Sequence, residues 1–187
     1  AVSIVSPNSQ TAKLAGNEGW IPISANFIQP RYIKSHWDAY AEGCANSGRN
    51  ADSSIWRIAR SILVTEDQSE AEEYLADPSG GLRFYYRYFI VTYTARGVLD
   101  LLKPDPKIKD ENVTEELVAR SMVTYGNVKT VIDELVSLAD LWGPFGTLVS
   151  VGHDWDKPLM WRRSMYLLAT EVLPKLTQHV NSLRKTS

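Results

Sequence analysis

Residues 1–5, AVSIV, form a short apolar run that stops at Ser6-Pro7. A run bounded this way predicts a buried strand. Ser6 stands where a helix N-cap belongs, and Pro7 suits a first helical position. Ala12, Leu14 and Ala15 carry the helix to a stop near Gly19, and residues 20–25 predict the next strand. Two strands joined by such a helix run parallel. Residues 31–47 place Ile33, Trp37, Tyr40, Ala41 and Cys44 on one helical face. Residues 55–65, IWRIARSILVT, alternate and are rich in β-branched side chains, which predicts a third strand. Ser69 is the expected cap of a short helix through Ala76, and DPSGG at 77–81 breaks it. Residues 82–102 gather Phe84, Tyr85, Tyr86, Tyr88, Phe89 and Tyr93 on a helix, either as core or as the wall of a ligand pocket. KPDPKIKDEN at 103–112 reads as a charged loop, an exposed insertion or a lid. Residues 114–122 and 127–142 read as helices with Gly126 between them. Residues 145–152 predict a fourth strand, and 157–183 a last helix that Asp156 caps and Pro174 kinks or interrupts.

The order of strands and helices predicts an α/β fold with a mostly parallel sheet. Four βα units make half of an eight-unit barrel, and a flat four-stranded sheet is the other solution. A half-barrel leaves unpaired edges at residues 1–5 and 147–152 and a bare apolar sheet face. Such a surface predicts pairing with a second copy or with a missing half. The chain opens inside a strand without a Met, so residues 1–187 are expected to form one domain of a longer protein.

Composition narrows the classes of function. The chain has 187 residues, 44% hydrophobic and 22% charged, which suits one globular domain. Its net charge of −2 gives no general attraction to nucleic acid or an anionic membrane. No run is long enough to span a bilayer. A single cysteine, Cys44, leaves no internal disulfide and fits a reducing cytoplasm.

Candidate chemistry lies at the ends of the predicted strands. The N–H groups that open the first helix, flanked by Ser6, Asn8, Ser9 and Thr11, suit an anion such as phosphate; the same residues also suit simple capping. His153 and Asp154 close the fourth strand. There an imidazole can donate to a cofactor or reacting oxygen, or the pair can bond backbone and cap a helix. Asn26 and Phe27 end the second strand, as a site wall or as turn and core. His36 and His179 fall on helices and read as surface or packing residues. The spacing of His153, Asp154 and Asp156 does not suit a metal. No P-loop, Gly-x-Gly-x-x-Gly, Cys-x-x-Cys or nucleophile elbow occurs.

Four stretches carry a family resemblance: SPNSQTAKLAGNEGWIPIS at 6–24, WRIARSILVTEDQSEAEEY at 56–74, TYGNVKTVIDEL at 124–135, and FGTLVSVGHDWDKPLMWRRSMYLLATEVLP at 145–174. Together they make the chain resemble the C-terminal half of the bacterial luciferase-like flavin-dependent monooxygenases, in the branch acting on terpene- or alkane-like substrates. The resemblance implies a TIM barrel of which these are strands five to eight. It implies reduced FMN (FMNH2) from a separate flavin reductase, with O2, to oxygenate a small apolar organic substrate. It places the flavin phosphate on Ser6, Asn8, Ser9 and Thr11. Gly126-Asn127-Val128 departs from the Gly-Ser-Pro or Gly-Thr-Pro common in that family, and the family's N-terminal half, which builds much of the flavin pocket, has no counterpart here. The alternative from another class is a half-barrel that binds flavin or a partner chain without catalysis.

Overall fold

The computed structural model describes residues 1–153 and 156–186. Its strands are β1 (Val2–Ile4), β2 (Pro22–Ser24), β3 (Arg57–Thr65), β4 (Val123–Asn127) and β5 (Thr147–Val151). Its helices are α1 (Gln10–Glu18), α2 (Ile33–Asn46), α3 (Gln68–Ala76), α4 (Gly81–Ala95), α5 (Glu115–Met122), α6 (Val128–Trp142), α7 (Pro158–Leu167) and α8 (Leu173–Thr186). All strand pairs are parallel. The result is a parallel α/β fold.

The hub is β3. Its first residues register with β2, Arg57–Ser61 register with β5, and Ser61–Thr65 register with β4. Eight of its nine residues are buried. Alternation sends Ile58, Ile62 and Val64 into one core with Val131, Leu135 and Ala139 of α6 and Leu176 and Val180 of α8. Leu63 joins a second core with α3, α4, α5 and Trp161 of α7. Helices therefore cover β3 on both faces, whereas β5 stays exposed or half-exposed along its length, Val149 included. The two expected edges remain: among the described residues β1 pairs only with β2, and β5 only with β3.

Residues 123–127 form a fifth strand rather than a simple break between helices. Gly126 makes this possible. Its φ is 134°, and a Cβ there would lie 2.2 Å from Gln68 Oε1. Gln68 Oε1 accepts from the Asn127 N–H at 3.2 Å, and Asn127 Oδ1 accepts from the Thr130 N–H at 3.0 Å, capping α6.

The last helical stretch breaks as Pro174 requires. A π-helical turn over Leu168–Val172 separates α7 from α8, and Pro174 is the second residue of α8, where its missing N–H does least harm. Asp156 does not cap α7, whose N-cap is Lys157. Likewise the N-cap of α3 is Asp67, and Ser69 lies inside the helix. The segment 103–112 is tied down: Lys103 Nζ bonds Asp100 and Asp110 at 2.6 Å each, and Arg31 Nη1 donates to the carbonyls of Lys103 and Pro104 at 2.8 Å. The flanking carboxylates raise the Lys103 pKa.

Candidate functional site

The turn from β1 into α1 is built on an unusual residue. Asn8 has φ 49°, and among the described residues it is the one non-glycine with positive φ. Asn is among the few side chains that tolerate this conformation. Its N–H donates to Ser35 Oγ at 3.1 Å, and Ser35 Oγ donates to the Tyr32 carbonyl at 2.7 Å. Ser9 is the N-cap of α1 in extended backbone, and no side chain caps the helix. The opening N–H groups of α1 therefore keep the unmet donor capacity that an anion satisfies. Ser6, Asn8 and Thr11 are exposed and Ser9 is buried.

A groove of about 290 Å³ opens beside this turn, lined by Asn8, Ser9, Lys13, Ser35, Asp38 and Glu42 among others. Two carboxylates there would oppose an anion, but both are offset: Lys13 Nζ lies 2.6 Å from Glu42, and Lys34 Nζ lies 2.6 Å from Asp38. The floor depends on a close helix contact. A Cβ on Gly16 would sit 2.2 Å from the Tyr40 carbonyl, and one on Gly43 would sit 2.0 Å from the Lys13 carbonyl. These two glycines let α1 and α2 touch along their backbones.

Beneath the turn lies His36, 1% exposed. Its Nδ1 is 3.0 Å from Ser24 Oγ, which accepts from Trp56 Nε1 at 2.9 Å. Burial pulls the His36 pKa down to about 4, opposed by the Ser6 backbone. The His36 Nε2 is buried without a hydrogen-bond partner.

The second group of polar residues centres on Ser61. Asn26 Nδ2 donates to Ser61 Oγ at 2.8 Å, and the Ser61 N–H donates to Asn26 Oδ1 at 2.9 Å. Ser61 Oγ lies 2.7 Å from His153 Nε2. With Oγ already accepting from Asn26, the hydroxyl proton is available to Nε2. His153 is fully buried, with the Tyr85 ring edge-on at 4.7 Å and Trp161 at 5.5 Å. Burial pushes the Tyr85 pKa up to about 12. Phe27 stacks on Phe89 at 5.0 Å, and Tyr93 Oη donates to the Phe27 carbonyl at 3.0 Å. The aromatic residues of α4 thus divide: Tyr86 and Tyr93 are core, whereas Phe84 and Tyr88 are exposed.

The predicted residues fall into two groups bridged by the end of β2, with Ser24 on the His36 side and Asn26 on the His153 side. Asp154 lies outside the described residues. Asp156 is turned away to α4, accepting from Tyr74 Oη at 2.9 Å and from the Gly81 N–H at 2.6 Å. His36 is the packing residue that its helix position suggests, and sequence reasoning passed over Ser35 and Ser61. The signal for His36 was present: Ile33, His36, Tyr40, Gly43 and Cys44 make the buried stripe of α2. Among the described residues, no group of three or more His, Cys, Asp or Glu side chains is arranged to hold a metal. No described helix is long and apolar enough to cross a membrane.

No family model matches the chain. It is 28% identical over 177 residues to 3,6-diketocamphane 1,6-monooxygenase of Pseudomonas putida, a match that spans 94% of this chain and 46% of that protein. It is 27% identical over 179 residues to 4-hydroxyprotoasukamycin monooxygenase of Streptomyces nodosus subsp. asukaensis, spanning 92% and 45%. Among solved structures, the oxygenating constituent of 3,6-diketocamphane monooxygenase from the CAM plasmid of Pseudomonas putida, a type II Baeyer–Villiger monooxygenase in complex with FMN, matches with a TM-score of 0.81 at 27% identity. That match covers 93% of this chain and 48% of the other. Monooxygenase RslO1 from Streptomyces bottropensis, at 16% identity and a TM-score of 0.61 over 92% of this chain and 47% of that one, shares the fold. The chain spans about half the length of the relatives it matches. The chain is thus similar to about half of the diketocamphane monooxygenase, a type II Baeyer–Villiger monooxygenase solved with FMN, and shares the parallel α/β fold of that half.

Proposed function

We propose that this chain is the phosphate-holding part of an FMN-dependent monooxygenase that oxygenates a small apolar organic substrate. The observation that carries the reading is the uncapped start of α1, framed by Ser6, Asn8, Ser9 and Thr11, in a chain similar to a protein solved with FMN. Donor N–H groups and three hydroxyls fit a phosphate dianion. Reduced FMN, delivered by a separate flavin reductase, would supply the electrons that activate O2. The chain's own residues bind and orient: Ser6, Asn8, Ser9 and Thr11 hold the phosphate. The Ser61 hydroxyl, midway along β3, donates to His153 Nε2, and His153 with Asp154, its neighbour in sequence, is the pair proposed to handle a proton. Fluorescence titration with FMN tests the site. We expect quenching that weakens in Ser6→Ala and Thr11→Ala. No quenching by the parent, or variants that match it, would remove the assignment.

A second reading is favoured by the burial of His153 and the aromatic cover over the inner side of β3. In that reading this half-barrel alone does not turn over and instead pairs through the edges of β1 and β5, with a second copy or the remaining half of the barrel. Incubation with reduced FMN, O2 and a cyclic ketone is expected to give little or no product from this chain alone. Sedimentation is expected to show a dimer or larger assembly; a well-ordered monomer would count against the pairing.

A further inference from the structure

We infer that Asn26 and Ser61 are positioning residues for His153: together they fix its ring proton on Nδ1 and keep Nε2 as the acceptor. The inference rests on the reading of His153 and Asp154 as the pair that handles a proton, and adds which ring nitrogen carries it.

Three neighbouring strands bring the residues together. β3 pairs with both β2 and β5 at Arg57 and Ile58. Asn26 follows the end of β2 by two residues, and His153 follows the end of β5 by two. Both reach Ser61 in the middle of β3. All three side chains are buried, so an unmatched donor or acceptor among them is costly.

The direction of the bonds is set by one group that has no choice. The Ser61 backbone N–H can only donate, and it donates to Asn26 Oδ1 at 2.9 Å. That fixes how the Asn26 amide faces: its nitrogen is turned to the Ser61 hydroxyl, to which Nδ2 donates at 2.8 Å. Ser61 Oγ thus accepts from Asn26, and its own proton needs another acceptor. His153 Nε2 lies 2.7 Å away. The buried Tyr86 Oη makes no hydrogen bond among the described residues, so it does not take this proton. A neutral imidazole has one bare nitrogen and one N–H. With Nε2 accepting, the N–H is at Nδ1. The reverse arrangement gives Ser61 Oγ two incoming protons and strands its own. Tyr85 edge-on at 4.7 Å and Trp161 at 5.5 Å hold the ring plane, and with it the places of the two nitrogens. Any proton that neutral His153 gives up therefore leaves from Nδ1. A backbone amide of β3 decides this, acting through Asn26 and Ser61.

The test reads the tautomer directly. In the unliganded chain with isotope-labelled histidine, long-range proton–nitrogen correlation spectra separate protonated from bare ring nitrogens. They are taken at about pH 8, above the ordinary imidazole pKa. His36→Gln and His179→Gln remove the signals of the other two histidines and so assign His153. We expect His153 Nε2 in the bare range and Nδ1 in the protonated range. Ser61→Ala removes the donor, and the Nε2 signal should move to the protonated range, the form that free histidine favours. Ser61→Thr keeps a hydroxyl and should restore the parent pattern. In Asn26→Asp one carboxylate oxygen still accepts from the Ser61 N–H, but the other takes the hydroxyl proton. Oγ then accepts from Nε2–H, and the tautomer reverses. A residue that only packs would leave the tautomer unmoved in all of these. FMN added to the parent separates the two readings: His153 signals that stay in place take the ring away from the cofactor, and the proton remains where the unliganded spectrum reads it. A parent with its proton on Nε2 overturns the inference, and so does a folded Ser61→Ala or Asn26→Asp that keeps the parent tautomer. Should neither variant fold, the parent spectrum decides by itself.

Discussion

Asp156 caps the helix that begins 75 residues before it: its Oδ2 accepts from the Gly81 N–H at 2.6 Å, at the first position of α4. Its other oxygen accepts from Tyr74 Oη, which accepts from Trp161 Nε1 at 3.3 Å. One carboxylate thus joins the start of α4 to α3 and α7. The N-cap of α4, Gly80, has no side chain to do this. We predict that Asp156→Ala lowers stability by about 1–2 kcal/mol, the usual cost of losing such a contact. In a chain of this size that is a Tm fall of roughly 2–8 °C. Gly80→Ser or Gly80→Asp in the same background should recover part of it. An unchanged Tm in Asp156→Ala would remove the capping role.

The Asn26 and Ser61 pair predicts a larger effect. Asn26 both accepts from the Ser61 N–H and donates to its hydroxyl, and both residues are buried. Asn26→Ala strands the Ser61 backbone donor in the interior of β3. We expect a loss of about 2–3 kcal/mol by denaturant titration. Asn26→Asp supplies the acceptor but not the donor, and a charged group in this site is expected to cost at least as much. If Asn26→Ala proves neutral, the pair does not hold β2 to β3.

Gly43 predicts a steric penalty that no contact energy offsets. Its missing Cβ would fall 2.0 Å from a backbone carbonyl of α1, and backbone cannot swing aside as a long side chain can. Gly43→Ala must part α1 from α2, opening the floor of the turn that carries Asn8 and Ser9. The expected cost is about 2–3 kcal/mol, in the upper range for overpacking, although alanine is the better helix former. A Tm that rises in Gly43→Ala, as propensity alone would have it, would refute the close contact.

Much of the fold could be read from the residues because the period of burial matches the local pattern. The run IWRIARSILVT looks like a central strand and β3 is one, and the stop at Ser6-Pro7 marks the end of β1. What escaped was set by contacts far along the chain. β4 follows α5 with no breaker between Met122 and Val123, and only the approach of Gln68 shows why Gly126 must be a glycine. The role of Asp156 was hidden for the same reason: a carboxylate before a proline reads as a local cap, and its true partner belongs to α4. His36 was legible in principle, since it shares a helical stripe with Ile33 and Tyr40. Trp37 drew attention because it is the larger apolar residue, and it does pack, stacking on Trp56 at 5.3 Å from the half-buried side of α2.

The last prediction concerns acid. His36 has a folded pKa of about 4 against an ordinary value of 6.5, because burial penalises its charged form. Between these values the unfolded chain binds a proton that the folded chain does not, so stability rises with pH across that window. The contribution is complete above pH 6.5 and is lost as the pH falls toward 4. From pH 7 to pH 4.5 it amounts to about 2.5 kcal/mol. Other groups titrate nearby and must be separated. Glu72, Glu115 and Glu116 are held below the usual carboxylate value by Arg120, Arg87 and Arg83, so their stabilising effect is lost only as the pH falls from the ordinary glutamate value through their lower folded ones. Glu134 is raised by burial and acts in the opposite sense, favouring the folded chain as it protonates. The comparison with His36→Gln cancels all four. Denaturant titrations at pH 7 and pH 4.5 should show the parent losing about 2.5 kcal/mol more than the variant. Parallel losses in the two proteins would mean that His36 takes up its proton in the folded chain as readily as in the unfolded one.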